Sequence, residues 1–243
     1  MNIVAIIQAR MGSKRLPGKV LKDLNGKSML EHVYERTNAF CGVDEVIVAT
    51  SVLDSDKPIV SLCIERGWGF FCGSEMDVLD RYYQAASQYK ADHIVRVTSD
   101  CPFLCFDEGS RLLAAHLESH ADYTHNITVL DSLMPMGTGA EVLSFWALEK
   151  SWIEGKKDWY REHVDEYILE NPKLFSIENV FASEPVRRPH YRLTVDCEED
   201  LQLIKSLYNA LNRESGLIRL IDVIDLLDAE PERLEINSEI NQK

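Results

Sequence analysis

Nowhere in the chain do 18 or more apolar residues follow one another, so no segment is fit to cross a membrane as a helix. The N-terminal apolar run, Ile3 to Ile7, ends at Gln8 and Arg10, too soon for the core of a secretion signal. The expected compartment is the cytoplasm. No two cysteines stand as C-x-x-C, and none of the six (Cys41, Cys63, Cys72, Cys101, Cys105, Cys197) has histidines at zinc-ligand spacing. Reduced, mostly buried thiols are expected. Basic residues are in deficit, 26 Lys and Arg against 40 Asp and Glu, for a net charge of −14. Nucleic-acid-binding surfaces are basic, so that class is excluded. No repeat, low-complexity tract or flexible linker divides the 243 residues, a length that buries one large core.

What is present is an alternation. Strand-length apolar runs at about 2–8, 44–51, 68–72 and 92–98 are separated by amphipathic helical patterns at about 28–40, 56–67, 77–90 and 107–120. Asn25 and Gly26 mark a turn before the first helix, whose buried stripe is Leu30, Val33, Tyr34 and Thr37. The alternation predicts βαβ units and an α/β fold with a mostly parallel sheet. After about residue 122 it loosens into DYTHNITVL and LMPMGTGAEVLS, helices near 145–154 and 159–170, and strand-like FSIENVFA and HYRLTVD. Helices at about 198–211 and 217–228 close the chain. A single domain over 1–243 is expected, with a protruding insertion at about 125–185 and a frayed tail AEPERLEINSEINQK.

Charge is uneven. Residues 10–27 carry six Lys or Arg against one Asp, net +5, so the remainder of the chain sums to −19. A cationic island in an acidic protein suits a small polyanion. The island lies in QARMGSKRLPGK, Gln8 to Lys19, directly after the first strand. Walker A spacing fails, because five residues separate Gly12 from Gly18 and Val20 stands where the metal-binding hydroxyl belongs. The G-x-G-x-x-G fingerprint is absent too. A loop at the carboxyl end of a strand in an open α/β sheet still faces the ligand crevice. Gly12 and Gly18 let backbone N–H groups approach phosphate, and Arg10, Arg15 and Lys19 supply charge. A solvated basic turn is the other possibility.

Six blocks then carry a family resemblance: QARMGSKRLPGKVL, GSEMDVLDRYYQAA (73–86), RVTSDCPF (96–103), PMGTGAEVLSFWALEK (135–150), REHVDEY (161–167) and RLTVDCEEDL (192–201). Together they resemble the bacterial cytidylyltransferases that activate sugar acids. The group named after spore coat polysaccharide biosynthesis protein F is nearer; 3-deoxy-manno-octulosonate cytidylyltransferase and CMP-sialate synthetase are more distant. The resemblance implies a Rossmann-like three-layer nucleotidyltransferase sandwich of the glycosyltransferase-A-like kind. It also implies a homodimer formed largely by the central insertion, CTP as donor, Mg2+ as cofactor and an anionic sugar acceptor of the 3-deoxy-2-ulosonic acid type. Nucleotide transfer to a sugar phosphate or polyol phosphate, and a non-catalytic nucleotide-binding module, are the competing functions.

On the same resemblance Arg10, Ser13, Arg15 and Lys19 hold the triphosphate, Ala9 lies near the base, and Gly12, Thr50, Gly73, Asp77 and Arg81 complete the nucleotide pocket. Asp77 is equally a first-turn helix residue favoured by the dipole. Asp100 and Asp196 are the metal ligands. Asp100 follows HIVRVTS and Asp196 ends HYRLTV, and both also have structural readings, as a turn residue before Pro102 and as an N-cap paired with Glu199. Pro135, Gly137 and Glu141 carry over as acceptor ligands from a P-x-G-x-D-x-E pattern, in which Gly139 replaces the aspartate. Arg161, Glu162 and His163 match R-E-H-V and suit an acceptor carboxylate or phosphate; His163 is equally a helix-surface histidine. Arg192, four residues before Asp196 on an expected strand, shares its face and joins either site.

Overall fold

The computed structural model describes residues 1–127, 132–211 and 216–240. Its centre is a seven-stranded sheet in the order β5-β4-β1-β6-β8-β7-β9. The strands are β1 (Ile3–Gln8), β4 (Glu45–Ser51), β5 (Gly69–Gly73), β6 (His93–Thr98), β7 (Tyr123–His125), β8 (Glu141–Ser144) and β9 (Ile177–Asn179). β5, β4, β1 and β6 run parallel, as continuous apolar strands buried on both faces require. β2 (Asp23–Leu24) and β3 (Lys27–Ser28) form a hairpin across Asn25 and Gly26, both at positive φ.

Helices cover both faces. Ile3, Ala5 and Ile7 pack with α1 (Met29–Asn38), α2 (Lys57–Arg66) and α4 (Phe106–Ser119); Val4 and Ile6 pack on the other side with α3 (Val78–Gln88), α5 (Phe145–Glu154) and α7 (Glu166–Glu170). This is the three-layer α/β arrangement. A third apolar cluster joins α8 (Glu198–Ala210) and α9 (Leu220–Ala229) to Met29, Phe103 and Leu193. No helix among the described residues is long and apolar enough to cross a membrane.

Several expectations need correction. The stretch 125–185 does not stand clear of the sheet, because β8 pairs antiparallel with β6 and β9 pairs with β7. The helix expected at 159–170 is two short ones, α6 (Asp158–Glu162) and α7, broken at His163. HYRLTVD is extended but joins no strand among the described residues; a bridge, Met136 to Arg192, ties it down. Residues 128–131 of DYTHNITVL lie outside the described residues. The tail is docked: a 3-10 segment, Pro231–Asn237, buries Asn237, whose Nδ2 donates to Arg192 O (3.2 Å) and Asp200 Oδ1 (2.9 Å). Its last residues, 241–243, lie outside the description. All six cysteines are free, but Cys41 is exposed and Cys72 and Cys197 are only half-buried.

Candidate active site

β1 ends between parallel neighbours, and Ala9 N donates to Ala49 O (3.0 Å) as the chain leaves the sheet. The following loop is closed by Met11 O, which accepts from Ser13 N and Gly18 N, both at 3.0 Å. Gly18 has φ 70, a left-handed conformation that glycine adopts without steric cost. Lys19 then turns inward. Its Nζ donates to Asp100 Oδ2 (2.8 Å), Asp196 Oδ1 (3.1 Å) and Val195 O (2.7 Å). Arg15 Nη2 reaches the same Asp196 oxygen at 3.1 Å.

The carboxylates meet because their loops are joined: Val195 N donates to Asp100 O at 2.9 Å. The N-cap of α8 is Cys197, not Asp196, and Asp200 accepts the amides of Asp196 (2.9 Å) and Cys197 (3.3 Å). Asp196 therefore has its carboxylate free for Lys19. Burial opposes the charge on Lys19, but the two aspartates outweigh it and hold its pKa above the usual lysine value. Burial likewise works against the Asp100 carboxylate, and Lys19 reverses that, holding it below the usual range. Two oxygens that close on one cation are a donor set a hard divalent ion can use with phosphate and water. No group of three or more His, Cys, Asp or Glu suited to a metal occurs among the described residues.

Above this floor lies a cleft of about 390 Å³. Of the expected nucleotide residues, Ala9, Arg10, Ser13, Arg15, Lys19 and Arg81 line it, with Asp100 and Asp196. Glu162 and His163 line it from the end of α6, and the His163 ring packs 4.0 Å from that of Trp159. Gly12 is one step back; a Cβ there would lie 3.2 Å from Glu75 Oε1, and Glu75 is a lining residue.

The other expected residues do not line the cleft. Thr50 is fully buried in β4, and Gly73 is packed so tightly that a Cβ would meet the Phe71 ring at 2.8 Å. Asp77 caps α3 by accepting from Asp80 N (2.9 Å), and its other oxygen takes Nε and Nη2 of Arg161 at 2.9 and 2.7 Å. Each satisfies the other here, and the pair joins the two walls of the cleft. Arg192 binds Asp196 Oδ2 (2.8 Å) and both oxygens of Asp200 (2.9 Å each) from behind. Pro135 O accepts from Thr138 Oγ1 (2.7 Å). Gly137, at φ 83, lies against Thr194, whose N would be 2.6 Å from a Cβ. Gly137 and its neighbour Met136, which exchanges backbone hydrogen bonds with Tyr191 and Leu193, brace the extended segment that delivers Asp196.

Glu141 is buried opposite Arg96 in the β6–β8 register. It accepts from Arg96 Nη1 and from Tyr123 Oη (2.5 Å), while Asp165 stands 3.4 Å from the same Nη1. Two carboxylates share one buried guanidinium; burial pushes Glu141 up, to about 7, against the pull of Arg96. Arg96 itself lines the cleft, with Gln8, Thr98, Glu75 and Met76. Sequence reasoning missed these five. A signal existed for two of them: Arg96, Thr98 and Asp100 alternate with period two, which puts them on one face.

A mostly parallel sheet whose first loop turns cations toward a cleft, over two aspartates holding one lysine, is the site of a nucleotidyltransferase. The sequence model of the family described as Cytidylyltransferase matches residues 4–224, and the chain belongs to that family. It is a CTP-dependent nucleotidyltransferase. Spore coat polysaccharide biosynthesis protein SpsF of Bacillus subtilis is 36% identical over 236 residues, 95% of this chain and 96% of that one. The 3-deoxy-manno-octulosonate cytidylyltransferase of Geobacter sulfurreducens is 42% identical over 108 residues, 43% of this chain and 41% of its own. A solved cytidylyltransferase from Leptospira borgpetersenii superposes with a TM-score of 0.90 at 27% identity, covering all of both chains.

Proposed function

We propose that the protein transfers CMP from CTP to an anionic sugar of the 3-deoxy-2-ulosonic acid type, releasing pyrophosphate, in the synthesis of a surface polysaccharide or glycoconjugate. The observation that carries this is the Lys19 ammonium between Asp100 and Asp196 at 2.8 and 3.1 Å, beneath a loop that adds Arg10 and Arg15. An acceptor oxygen forms a bond to the α-phosphorus as the bond to the bridging oxygen of pyrophosphate breaks, and the acceptor proton leaves to solvent. Negative charge spread over phosphoryl oxygens is what the site must stabilise. Lys19, Arg10 and Arg15 bind and neutralise the triphosphate, and Ser13 offers its hydroxyl.

Asp100 and Asp196 are the proposed ligands of Mg2+, a fit supported by their convergence on one cation. A magnesium ion held by these two carboxylates would supply further charge neutralisation at the transferring phosphoryl group. His163, which lines the cleft from the end of α6, faces the acceptor's anionic group. The polysaccharide role is supported by the name of the Bacillus relative, and the acceptor class by the partial likeness to 3-deoxy-manno-octulosonate cytidylyltransferase. Incubation with CTP, magnesium and a panel of ulosonic acids, sugar phosphates and polyol phosphates tests it, read by 31P NMR of the products. A CMP-ulosonate is expected; a CDP-linked product from a sugar phosphate or polyol phosphate would replace that acceptor assignment with the rival one.

A further inference from the structure

We propose that Asp56 is a positioning residue for CTP, fixing the backbone of Met11 and through it the loop that carries Arg10 and Ser13. Asp56 is 2% exposed and occupies the N-cap position of α2. An aspartate at that position ordinarily accepts from amides of the helix's first turn. Here it makes no side-chain cap bond among the described residues, and Pro58 in that turn has no N–H to give. The carboxylate is turned to the loop instead. Oδ1 accepts from Met11 N at 2.7 Å; Oδ2 accepts from Ser51 Oγ and, at 3.3 Å, from Ser51 N.

Met11 is the residue whose carbonyl closes the loop onto Ser13 N and Gly18 N. Asp56 thus pins the loop, across 45 residues of sequence, at the peptide on which its closure depends. By charge alone a buried carboxylate beside an anion-binding loop opposes CTP. Its bond to Met11 N acts the other way, by holding the loop in its binding geometry. The two effects have opposite signs when the residue is removed. The proposal rests on the loop being the grip for CTP.

Calorimetric titration with CTP decides between them. Asp56→Ala is expected to raise Kd about tenfold or more, the scale of a lost hydrogen bond to a charged group, and to speed hydrogen exchange of the Met11 amide. Ser51→Ala, which takes a hydroxyl from Asp56 but leaves Met11 its acceptor, should keep Kd within about twofold. Asp56→Asn preserves volume and is the variant measured if the alanine does not fold; its neutral oxygen is the weaker acceptor, and Kd should rise about threefold. An unchanged or lowered Kd in either folded Asp56 variant overturns the proposal, as does an equal loss in Ser51→Ala. Arg10→Ala is measured alongside: if it too leaves CTP affinity unchanged, the loop is not the grip, and the failure lies with that assignment.

Discussion

Lys19 is buried, charged and shared by two aspartates, so removing it takes the shared cation from both carboxylates and leaves Asp196 with Arg15 and Arg192. Lys19→Ala is expected to lower kcat about 10²- to 10³-fold with the fold retained by circular dichroism. Its raised pKa stabilises the fold fully below the ordinary lysine value and is lost only as pH rises through the higher folded value. Asp100 is the mirror case: its contribution holds above the ordinary carboxylate value and disappears as pH falls through the lowered one. Across neutral pH Lys19 and Asp100 therefore keep their charges. Glu141 behaves oppositely to Asp100. With its folded pKa near 7 against an ordinary 4.5, it costs stability as pH rises between those values. Urea denaturation at pH 5 and pH 8 should show wild type losing stability at the higher pH and Glu141→Gln losing less of it.

Much of this chemistry was legible at the residue scale. Arg10, Arg15 and Lys19 sit in one short loop, and loops after parallel strands face ligands. The roles of Asp77 and Arg161 were not legible, because a side-chain pair 84 residues apart leaves no local pattern. Arg96 was legible in principle from its two-residue alternation with Asp100.

At the scale of elements, Asp196 is delivered by an extended segment with little sheet bonding of its own. Gly137 braces it in front, Arg192 and Asp200 hold it behind, and Asn237 from the tail closes the set. Asn237→Ala removes the donor to Arg192 O and one of the two donors to Asp200 Oδ1 and is expected to cost about 1–3 kcal/mol by urea denaturation, with a fall in kcat. Gly139 has a packing explanation for its departure from the P-x-G-x-D-x-E pattern: a Cβ there would lie 2.5 Å from Asn126 O and 2.8 Å from Asn126 Oδ1. Gly139→Asp should therefore destabilise by about 1–3 kcal/mol or more and confer no acceptor binding. Periodicity located the regular elements well, since both faces of the sheet are apolar. It failed at HYRLTVD and the tail, where side-chain contacts and not repeated backbone pairing set the conformation.

For the whole molecule, the acidic body and cationic loop divide the labour: a net charge of −14 disfavours large polyanions, while the cleft accepts a small one. The homodimer expected from the family resemblance is a proposal, and the half-exposed apolar side chains Trp146, Ile153 and Leu174 would serve it. Sedimentation equilibrium should give twice the chain mass of 27.8 kDa; a monomer at micromolar concentration would exclude it. The parallel half of the sheet was legible because strand and helix alternate there. The antiparallel half was not, because β8 follows a turn-rich stretch and enters the sheet beside β6, out of chain order.

The most direct test is pyrophosphate release from each of the four nucleoside triphosphates, with and without magnesium, over the acceptor panel, by wild type and Asp100→Asn. Release is expected with CTP alone, only with magnesium and an acceptor present, and about 10²-fold or more slower in Asp100→Asn. No release from CTP with any acceptor by the folded, magnesium-supplied enzyme, or an Asp100→Asn rate equal to wild type, would contradict it.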